Sequence, residues 1–94
     1  MITELEFSMQ NIFQLANLEK VCFGRDAWTI PNLRGEYEND FSHFIAWLEG
    51  DRIIGYVCVR IMYEEAQVCN IAVLPEYRRK GIATALLNEM LILS

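Results

Sequence analysis

The chain has 94 residues, of which 53% are hydrophobic and 22% charged, with only five Gly and two Pro. This composition is typical of one packed domain, here residues 1–94, and excludes a disordered, collagen-like or low-complexity chain. The formal net charge of −5 argues against a nucleic-acid partner, because such proteins carry broad Lys- and Arg-rich surfaces. No apolar run approaches the roughly 20 residues that span a bilayer, so we expect no membrane segment.

The cysteines and the N-terminal residues indicate a reducing compartment. Residues 1–9 carry two acidic side chains and no basic leader, so they do not resemble a secretory signal. Cys22, Cys58 and Cys69 are odd in number and show no CxxC spacing, and each lies among apolar neighbours. We therefore expect structural thiols rather than disulfides or metal ligands, no metal site, and a cytoplasmic protein.

The first third of the chain predicts a strand and a helix. Residues 3–7 alternate between apolar and acidic side chains, which favours a short edge strand. Ser8 is a suitable N-cap for a helix that runs to about Cys22. The apolar stripe predicted for this helix consists of Ile12, Phe13, Leu15, Ala16, Leu18 and Val21.

A second, shorter helix is predicted after a loop that contains Trp28. Thr29 can cap this helix and Pro31 lies in its first turn, where proline is tolerated. The polar residues 36–40 are expected to form a loop.

Three strands are predicted next. Residues 42–48 and 53–63 are rich in aromatic and β-branched side chains and flank the Glu-Gly-Asp turn at 49–51, a pattern typical of an antiparallel hairpin. A second turn is expected at 64–66. The following run, 68–74, is apolar at nearly every position, which favours a central strand covered on both faces.

A helix is predicted from Ile82 to the end of the chain. Its apolar positions keep helical spacing: Ile82, Ala85, Leu86, Leu87, Met90, Leu91 and Leu93. One strand, two helices, three antiparallel strands and a final helix predict an α+β fold with helices packed on a sheet.

Positive charge is concentrated at one turn before this last helix. Three of the eight basic residues are consecutive, Arg78, Arg79 and Lys80, and Gly81 follows them. The first backbone N–H groups of a helix lack intrahelical partners and carry partial positive charge, so they favour anions such as phosphate. Gly81 allows the backbone to approach such a group closely. A solvated basic loop before an ordinary helix is the alternative interpretation.

The segment from Arg78 to Ala83 resembles the Q/R-x-x-G-x-G/A pyrophosphate loop of the GNAT acetyltransferase superfamily. The flanking Asn-Ile-Ala-Val at 70–73 and Pro-Glu-Tyr at 75–77 fit the same pattern. The run from Glu65 to Leu87 is similar to bacterial ribosomal-protein-alanine N-acetyltransferases. The resemblance implies the N-terminal portion of a GNAT-like fold, with a mostly antiparallel sheet.

The resemblance also implies acetyl-CoA as the cofactor and assigns the residues that hold it. Backbone groups of Ile71 and Val73 would bind the pantetheine arm, with Ala72 between them. Backbone N–H groups of the loop would hold the pyrophosphate, with the Arg78 side chain at its edge. These loop residues are Arg79, Lys80, Gly81, Ile82, Ala83 and Thr84.

The acceptor implied by the resemblance is a protein or peptide N-terminus, such as that of a ribosomal protein. Trp28 and Glu65 are the candidate acceptor-binding residues. Members of the family are usually longer, and their catalytic Glu and Tyr have no counterpart before Ser94, so catalytic residues stay unassigned and enzymatic activity stays open. Without a partner strand, the strand at 68–74 would expose an edge, and we expect self-association through it.

Two alternatives to an active acetyltransferase stay open. One is a catalytically silent coenzyme A-binding or oligomerising fragment, and the other is a small protein-interaction domain whose basic turn is incidental. The single histidine, His43, lies in a strand-like aromatic run without partners for metal binding or catalysis. A structural or surface role is therefore expected for His43.

Overall fold

A single four-stranded antiparallel sheet, in the order β1-β2-β3-β4, carries three helices in the computed structural model, which describes residues 1–93. The strands are Ile2–Glu4 (β1), Ser42–Glu49 (β2), Arg52–Met62 (β3) and Glu65–Val73 (β4). The helices are Met9–Phe23 (α1), Ile30–Tyr37 (α2) and Ile82–Leu93 (α3), with 3-10 turns at Gly24–Asp26 and Pro75–Tyr77. The predicted α+β class is confirmed; the predicted helix end at Ser94 lies outside the described residues.

Both predicted helix caps are confirmed. The Ser8 hydroxyl accepts a hydrogen bond from the Asn11 N–H at 3.0 Å and begins α1. The Thr29 hydroxyl accepts from the Asn32 N–H at 3.3 Å, while Asn32 Oδ1 accepts from the Thr29 N–H at 3.0 Å. This reciprocal pair is a capping box, and it fixes the start of α2 directly after the loop that contains Trp28.

The loop predicted for residues 36–40 is wrong at its first two positions, because α2 continues through Tyr37. The Tyr37 ring stacks on Phe44 of β2 with ring centroids 4.2 Å apart, and its hydroxyl donates to the Leu5 carbonyl at 3.0 Å. Burial of the Tyr37 ring raises the pKa of its hydroxyl. Packing against the sheet therefore extends a helix that local sequence favours only weakly.

The turn between β3 and β4 is shorter than predicted. Tyr63 adopts a left-handed conformation (φ 56°) and Glu65 already belongs to β4, where Ala66 pairs with Ile61. The turn expected at 64–66 is thus wrong for its last two residues. Backbone pairing with β3 continues to Glu65, which lies opposite Met62, so the polar side chains of this segment do not mark the start of β4.

The strand β4 is an edge strand among the described residues, so the prediction of a central strand covered on both faces is wrong. Val68 is 40% exposed, and only Ala72 and Val73 of β4 are buried. The open edge expected from the family resemblance is confirmed instead. Residues 53–59 of β3 are the fully buried run, because α1 and α2 cover one face and α3 the other.

The buried stripe of α1 is narrower than predicted. Ile12, Leu15 and Leu18 are buried, but Phe13 and Val21 are 56% and 57% exposed, so their assignment to the stripe is wrong. The remaining buried position is occupied by Glu19, which is fully buried. Only the residues that face β3 and β4 lose contact with solvent, and Phe13 and Val21 lie beside that face.

The helix α3 contacts the sheet mainly through its first two turns. Ile82 and Leu86 are buried, whereas Leu91 and Leu93 of the predicted apolar face are 64% and 40% exposed. Within residues 1–93, no helix has both the length and the apolar character to cross a membrane.

Candidate functional site

The basic loop and the start of α3 form the first part of the candidate site. Arg79 and Gly81 both adopt left-handed backbone conformations, with φ of 65° and 80°. Successive residues of alternating handedness turn several backbone N–H groups toward one side of a loop. A Cβ at Gly81 would have no heavy atom within 4 Å, so the space beside this position is open.

The first turn of α3 presents unpaired donors to this space. The Ala85 N–H donates to the Gly81 carbonyl at 2.9 Å, whereas the N–H groups of Ile82, Ala83 and Thr84 have no acceptor within residues 1–93. A cavity of about 210 Å³ lies in front of them. Its lining consists of Val73, Tyr77, Arg78, Arg79, Gly81, Ile82, Ala83 and Thr84. Unpaired amides at a helix N-terminus beside guanidinium groups favour an anion in this cavity.

The open edge of β4 forms the second part. The Leu74 N–H donates to the Ile54 carbonyl at 2.9 Å, and hydrogen-bonded pairs alternate along an antiparallel ladder. Ala72 therefore directs its backbone groups toward Tyr56 of β3, with which it is paired. The backbone N–H and C=O groups of Ile71 and Val73 point the other way, toward the open edge.

One carbonyl at this edge joins the two parts. The Val73 oxygen accepts from Arg78 Nε at 3.0 Å and from Cys22 Sγ at 3.4 Å. A second cavity, of about 250 Å³, lies along the edge. Its lining consists of Cys22, Phe23, Ile71, Ala72, Val73, Arg78 and Ala83. The two cavities share Val73, Arg78 and Ala83, so they lie side by side, from the glycine loop along β4. Together we call them the β4 groove.

The sequence analysis missed a buried carboxylate behind the β4 groove. Glu19 Oε1 accepts hydrogen bonds from the Trp28 N–H at 2.9 Å and from Asn70 Nδ2 at 2.8 Å. Glu19 lies seven residues after Ile12 and four after Leu15, on the buried stripe of α1. A charged residue at a position of the apolar period is a signal for a buried polar contact.

Two polar atoms near this carboxylate have no hydrogen-bond partner in the described part of the chain: Glu19 Oε2 and the Tyr56 hydroxyl. Burial, followed by the proximity of Glu19, raises the pKa of the Tyr56 hydroxyl. Tyr56 therefore stays protonated and neutral beside Glu19.

The candidate acceptor residues lie in different places. Trp28 lines a cavity of about 520 Å³ on the outer side of α1, which Lys20 and Arg25 also border. Glu65 is the exposed first residue of β4, on the order of 20 Å along the strand from Ile71. The hydrogen bond to Glu19 brings the backbone of Trp28 toward β4, whereas Glu65 lies away from the β4 groove.

A second polar cluster lies between α2 and the sheet. A β-bulge leaves Cys69 unpaired, and ligand atoms of Glu36, Cys58 and Cys69 lie within 4.8 Å of one another. Both Glu36 oxygens accept from Arg60, at 2.7 and 2.9 Å, which lowers the pKa of this carboxyl. Burial raises the pKa of the Cys58 thiol. A cation at this cluster would have to displace a guanidinium group.

His43, on β2, is partly exposed and forms a surface contact. Its Nδ1 lies 2.7 Å from Glu4 Oε2 of β1.

Comparisons with known proteins show which family and which folds the chain resembles. The profile of the acetyltransferase (GNAT) family matches residues 9–93. A curated Bacillus subtilis (strain 168) protein, assigned as a ribosomal protein bS18-alanine N-acetyltransferase, is 30% identical over 63 residues, which are 66% of this chain and 42% of that protein. The chain thus spans less than half of this curated relative.

Solved structures share the fold at low sequence identity. The ribosomal-protein-S18-alanine N-acetyltransferase of Escherichia coli superposes with a TM-score of 0.82 at 18% identity, covering 99% of this chain and 59% of that one. The PaiA N-acetyltransferase of Thermoplasma acidophilum, solved in complex with coenzyme A, gives 0.80 at 18% identity, with 99% and 71% covered.

Proposed function

Because the chain belongs to the acetyltransferase (GNAT) family, we propose that residues 1–94 form part of one acetyltransferase domain and bind acetyl-CoA in the β4 groove. The observation that carries the proposal is that the two cavities of this groove adjoin at Val73, Arg78 and Ala83. The groove thus contains unpaired helix N-terminal amides and the free backbone edge of Ile71 and Val73. A ligand with a diphosphate at one end and amide groups along its length matches both parts.

The glycine loop binds the diphosphate of the cofactor. The N–H groups of residues 79–84 donate to phosphate oxygens, and Gly81 permits the backbone conformation that this requires. The exposed Arg79 and Lys80 side chains add charge at the rim. Arg78 uses one of its five N–H donors on the Val73 carbonyl, so the remaining donors are available to phosphate.

The edge of β4 binds the pantetheine arm as a neighbouring strand would. Ile71 N–H donates to a carbonyl of the arm, and the Val73 carbonyl accepts from one of its amides, in competition with Cys22 Sγ. Ala72 lies between them and is 5% exposed. Residues Ile71 and Val73 would hold the arm along β4, and the thioester would then be supplied on the side of Ile71 away from the glycine loop.

Bound acetyl-CoA supplies a thioester carbonyl for attack by an amine nitrogen, which forms the C–N bond as the C–S bond breaks; the nitrogen loses a proton and the thiolate gains one. The residues of this chain hold and orient the reactants. No catalytic acid or base is assigned among them. We propose the α-amino group of a protein N-terminus, such as that of a ribosomal protein, as the acceptor, with Trp28 near it. Glu65, at the opposite end of β4 from the groove, is too far from Ile71 to contact the same amine. The cytoplasm is the compartment that contains such an acceptor.

The open edge of β4 also supports self-association. Its outward backbone groups can pair with a second copy, and Val68 exposes an apolar side chain there. The same groups bind the pantetheine arm in this proposal, so acetyl-CoA and a second copy compete. Sedimentation at increasing concentration, with and without acetyl-CoA, measures this: a dimer that dissociates on addition of the cofactor is expected, and a monomer at all concentrations contradicts self-association.

Calorimetric titration with acetyl-CoA tests the proposal. Arg79→Glu should weaken binding by about tenfold or more, because it reverses a charge beside the phosphates. Arg52→Glu is the matched control: Arg52 is also an exposed arginine, at the start of β3 and outside the β4 groove, and its variant should bind like the unmodified chain. Equal affinities of the two variants would contradict phosphate binding at the glycine loop.

An acetyl-transfer assay on a peptide that begins with Ala separates the remaining alternatives. Binding with transfer supports an active enzyme, and binding without transfer supports a coenzyme A-binding module. The absence of binding favours a protein-interaction domain.

A further inference from the structure

A continuous series of hydrogen bonds runs from the open edge of β4 to the loop that carries Trp28. The outward-facing N–H of Ile71 donates to Asn70 Oδ1 at 3.1 Å. Nδ2 of the same Asn70 side chain donates to Glu19 Oε1 at 2.8 Å. That oxygen also accepts from the backbone N–H of Trp28 at 2.9 Å. One amide and one carboxylate thus connect the β4 groove with the proposed acceptor side.

The burial of Glu19 restricts the geometry of this partly exposed network. Glu19 is fully buried, and its second oxygen has no partner in residues 1–93. A buried acceptor cannot exchange a lost protein hydrogen bond for water, so a change at one bond is compensated by movement of the other partners. The donors from Asn70 and Trp28 converge on a single Glu19 oxygen, and a shift of either one alters the position of the other.

We infer that Asn70 and Glu19 are positioning residues that couple occupation of the β4 groove to the conformation of the loop at Trp28. The inference rests on the proposed function, in which the Ile71 N–H donates to a carbonyl of the pantetheine arm. Ile71 has a single N–H, so a ligand carbonyl that accepts it removes it from Asn70 Oδ1. The Asn70 amide then reorients and its bond to Glu19 changes. Trp28, bound to the same oxygen, follows.

A second contact of α1 provides a control of similar chemistry. Gln14 Nε2 donates to the Asp51 carbonyl at 3.0 Å, and Gln14 Oε1 accepts from the Ile53 N–H at 2.9 Å. This side chain connects α1 to the turn between β2 and β3 and to the start of β3, and its two hydrogen bonds involve neither Glu19 nor Asn70. Gln14→Ala therefore removes two hydrogen bonds between α1 and the sheet without touching the network of Glu19.

The test is an NMR titration of the isotopically labelled chain with acetyl-CoA, read at the backbone amide of Trp28 and combined with calorimetry. In the unmodified chain and in Gln14→Ala, the Trp28 amide should shift and saturate with the calorimetric Kd. In Asn70→Ala this shift should be lost. Affinity should be unchanged or up to about fivefold tighter, because Ile71 N–H no longer has to leave Asn70. Glu19→Gln, which preserves side-chain volume, should also reduce the shift.

The outcomes separate the coupling from the proposed function. A Trp28 shift of unchanged size in Asn70→Ala, with binding intact, overturns the coupling alone. The coupling is also overturned if Asn70→Ala binds more weakly and its spectrum is disturbed across the sheet while Glu19→Gln retains the full Trp28 shift. The network then has a purely structural role. No heat and no shifts in the unmodified chain overturn acetyl-CoA binding, and this inference with it.

Discussion

Gly55 lies on β3 at the point where β4 and α3 meet, and its replacement tests how closely these elements pack. A Cβ at this position would lie 3.2 Å from Val73 Cγ2, 3.4 Å from Ile82 Cγ2 and 3.4 Å from the Ala72 carbonyl oxygen. Val73 and Ile82 are core side chains, 8% and 5% exposed. Even one methyl group therefore forces the strand and the helix that border the β4 groove to move by a few tenths of an ångström.

The expected cost of Gly55→Ala is the difference between two terms. Overpacking of a core costs about 1–3 kcal/mol, and the loss of glycine flexibility from the unfolded chain returns about 0.4–1 kcal/mol. We expect a net loss of about 1 kcal/mol in the free energy of unfolding, and a larger loss for Gly55→Val. Gly35→Ala should instead increase the free energy of unfolding. Gly35 is exposed in α2 and a Cβ added there would contact no other atom, so the higher helix propensity of alanine should stabilise the fold by roughly 0.5–1 kcal/mol.

Urea unfolding followed by circular dichroism measures both variants. With a slope near 1 kcal/mol per M, the midpoint should fall by about 1 M for Gly55→Ala and rise by about 0.5–1 M for Gly35→Ala. A midpoint for Gly55→Ala at or above that of the unmodified chain would refute the close packing of β3, β4 and α3 inferred from these distances.

Three further predictions concern ionisable and buried polar groups. The hydrogen bonds from Arg60 lower the pKa of Glu36, so this pair stabilises the fold fully above the ordinary carboxyl pKa and progressively less as the pH falls through the lowered pKa. In Glu36→Gln the urea midpoint should therefore fall less steeply as the pH is lowered. An unchanged pH dependence would contradict this. Tyr37→Phe should cost about 1 kcal/mol because the Tyr37 hydroxyl donates to the Leu5 carbonyl, and an unchanged urea midpoint would be inconsistent with this hydrogen bond. A thiol reagent should modify two cysteines of the native chain and the buried Cys58 only after denaturation, and reaction of all three at one rate would show that Cys58 is accessible.

The elements of the fold were largely predictable because their signals are local. Ser8 and Thr29 satisfy specific backbone N–H groups, so helix starts follow from the sequence, and Gly50 (φ 61°) marks the hairpin turn in the same way. The errors arise where tertiary packing, rather than local sequence, determines where an element ends or where it lies in the sheet. Contact with Phe44 extends α2 to Tyr37, and the position of a strand in the sheet is not encoded in its apolar run.

The glycine loop of the candidate site was predictable from the sequence, whereas the hydrogen-bond network around Glu19 was not. The loop at Arg78–Gly81 is contiguous in sequence, so its residues were identified together. Asn70 follows Glu19 by 51 residues, and its side chain meets Glu19 and Trp28 only when α1 packs on β4. The signal in the sequence was Glu19 at a position of the apolar stripe of α1. It indicates a buried carboxylate but does not identify the hydrogen-bond partners of that carboxylate.

The central claim is that acetyl-CoA binds at the glycine loop, and the most direct test compares two glycine variants. Gly81 and Gly50 both adopt left-handed conformations, with φ of 80° and 61°, and a Cβ at either position meets no atom within 4 Å. Gly81→Val and Gly50→Val should therefore lose similar stability, on the order of 1–2 kcal/mol. Calorimetry of folded protein should show acetyl-CoA binding lost in Gly81→Val and retained in Gly50→Val. Equal affinity in both variants would contradict binding at this loop.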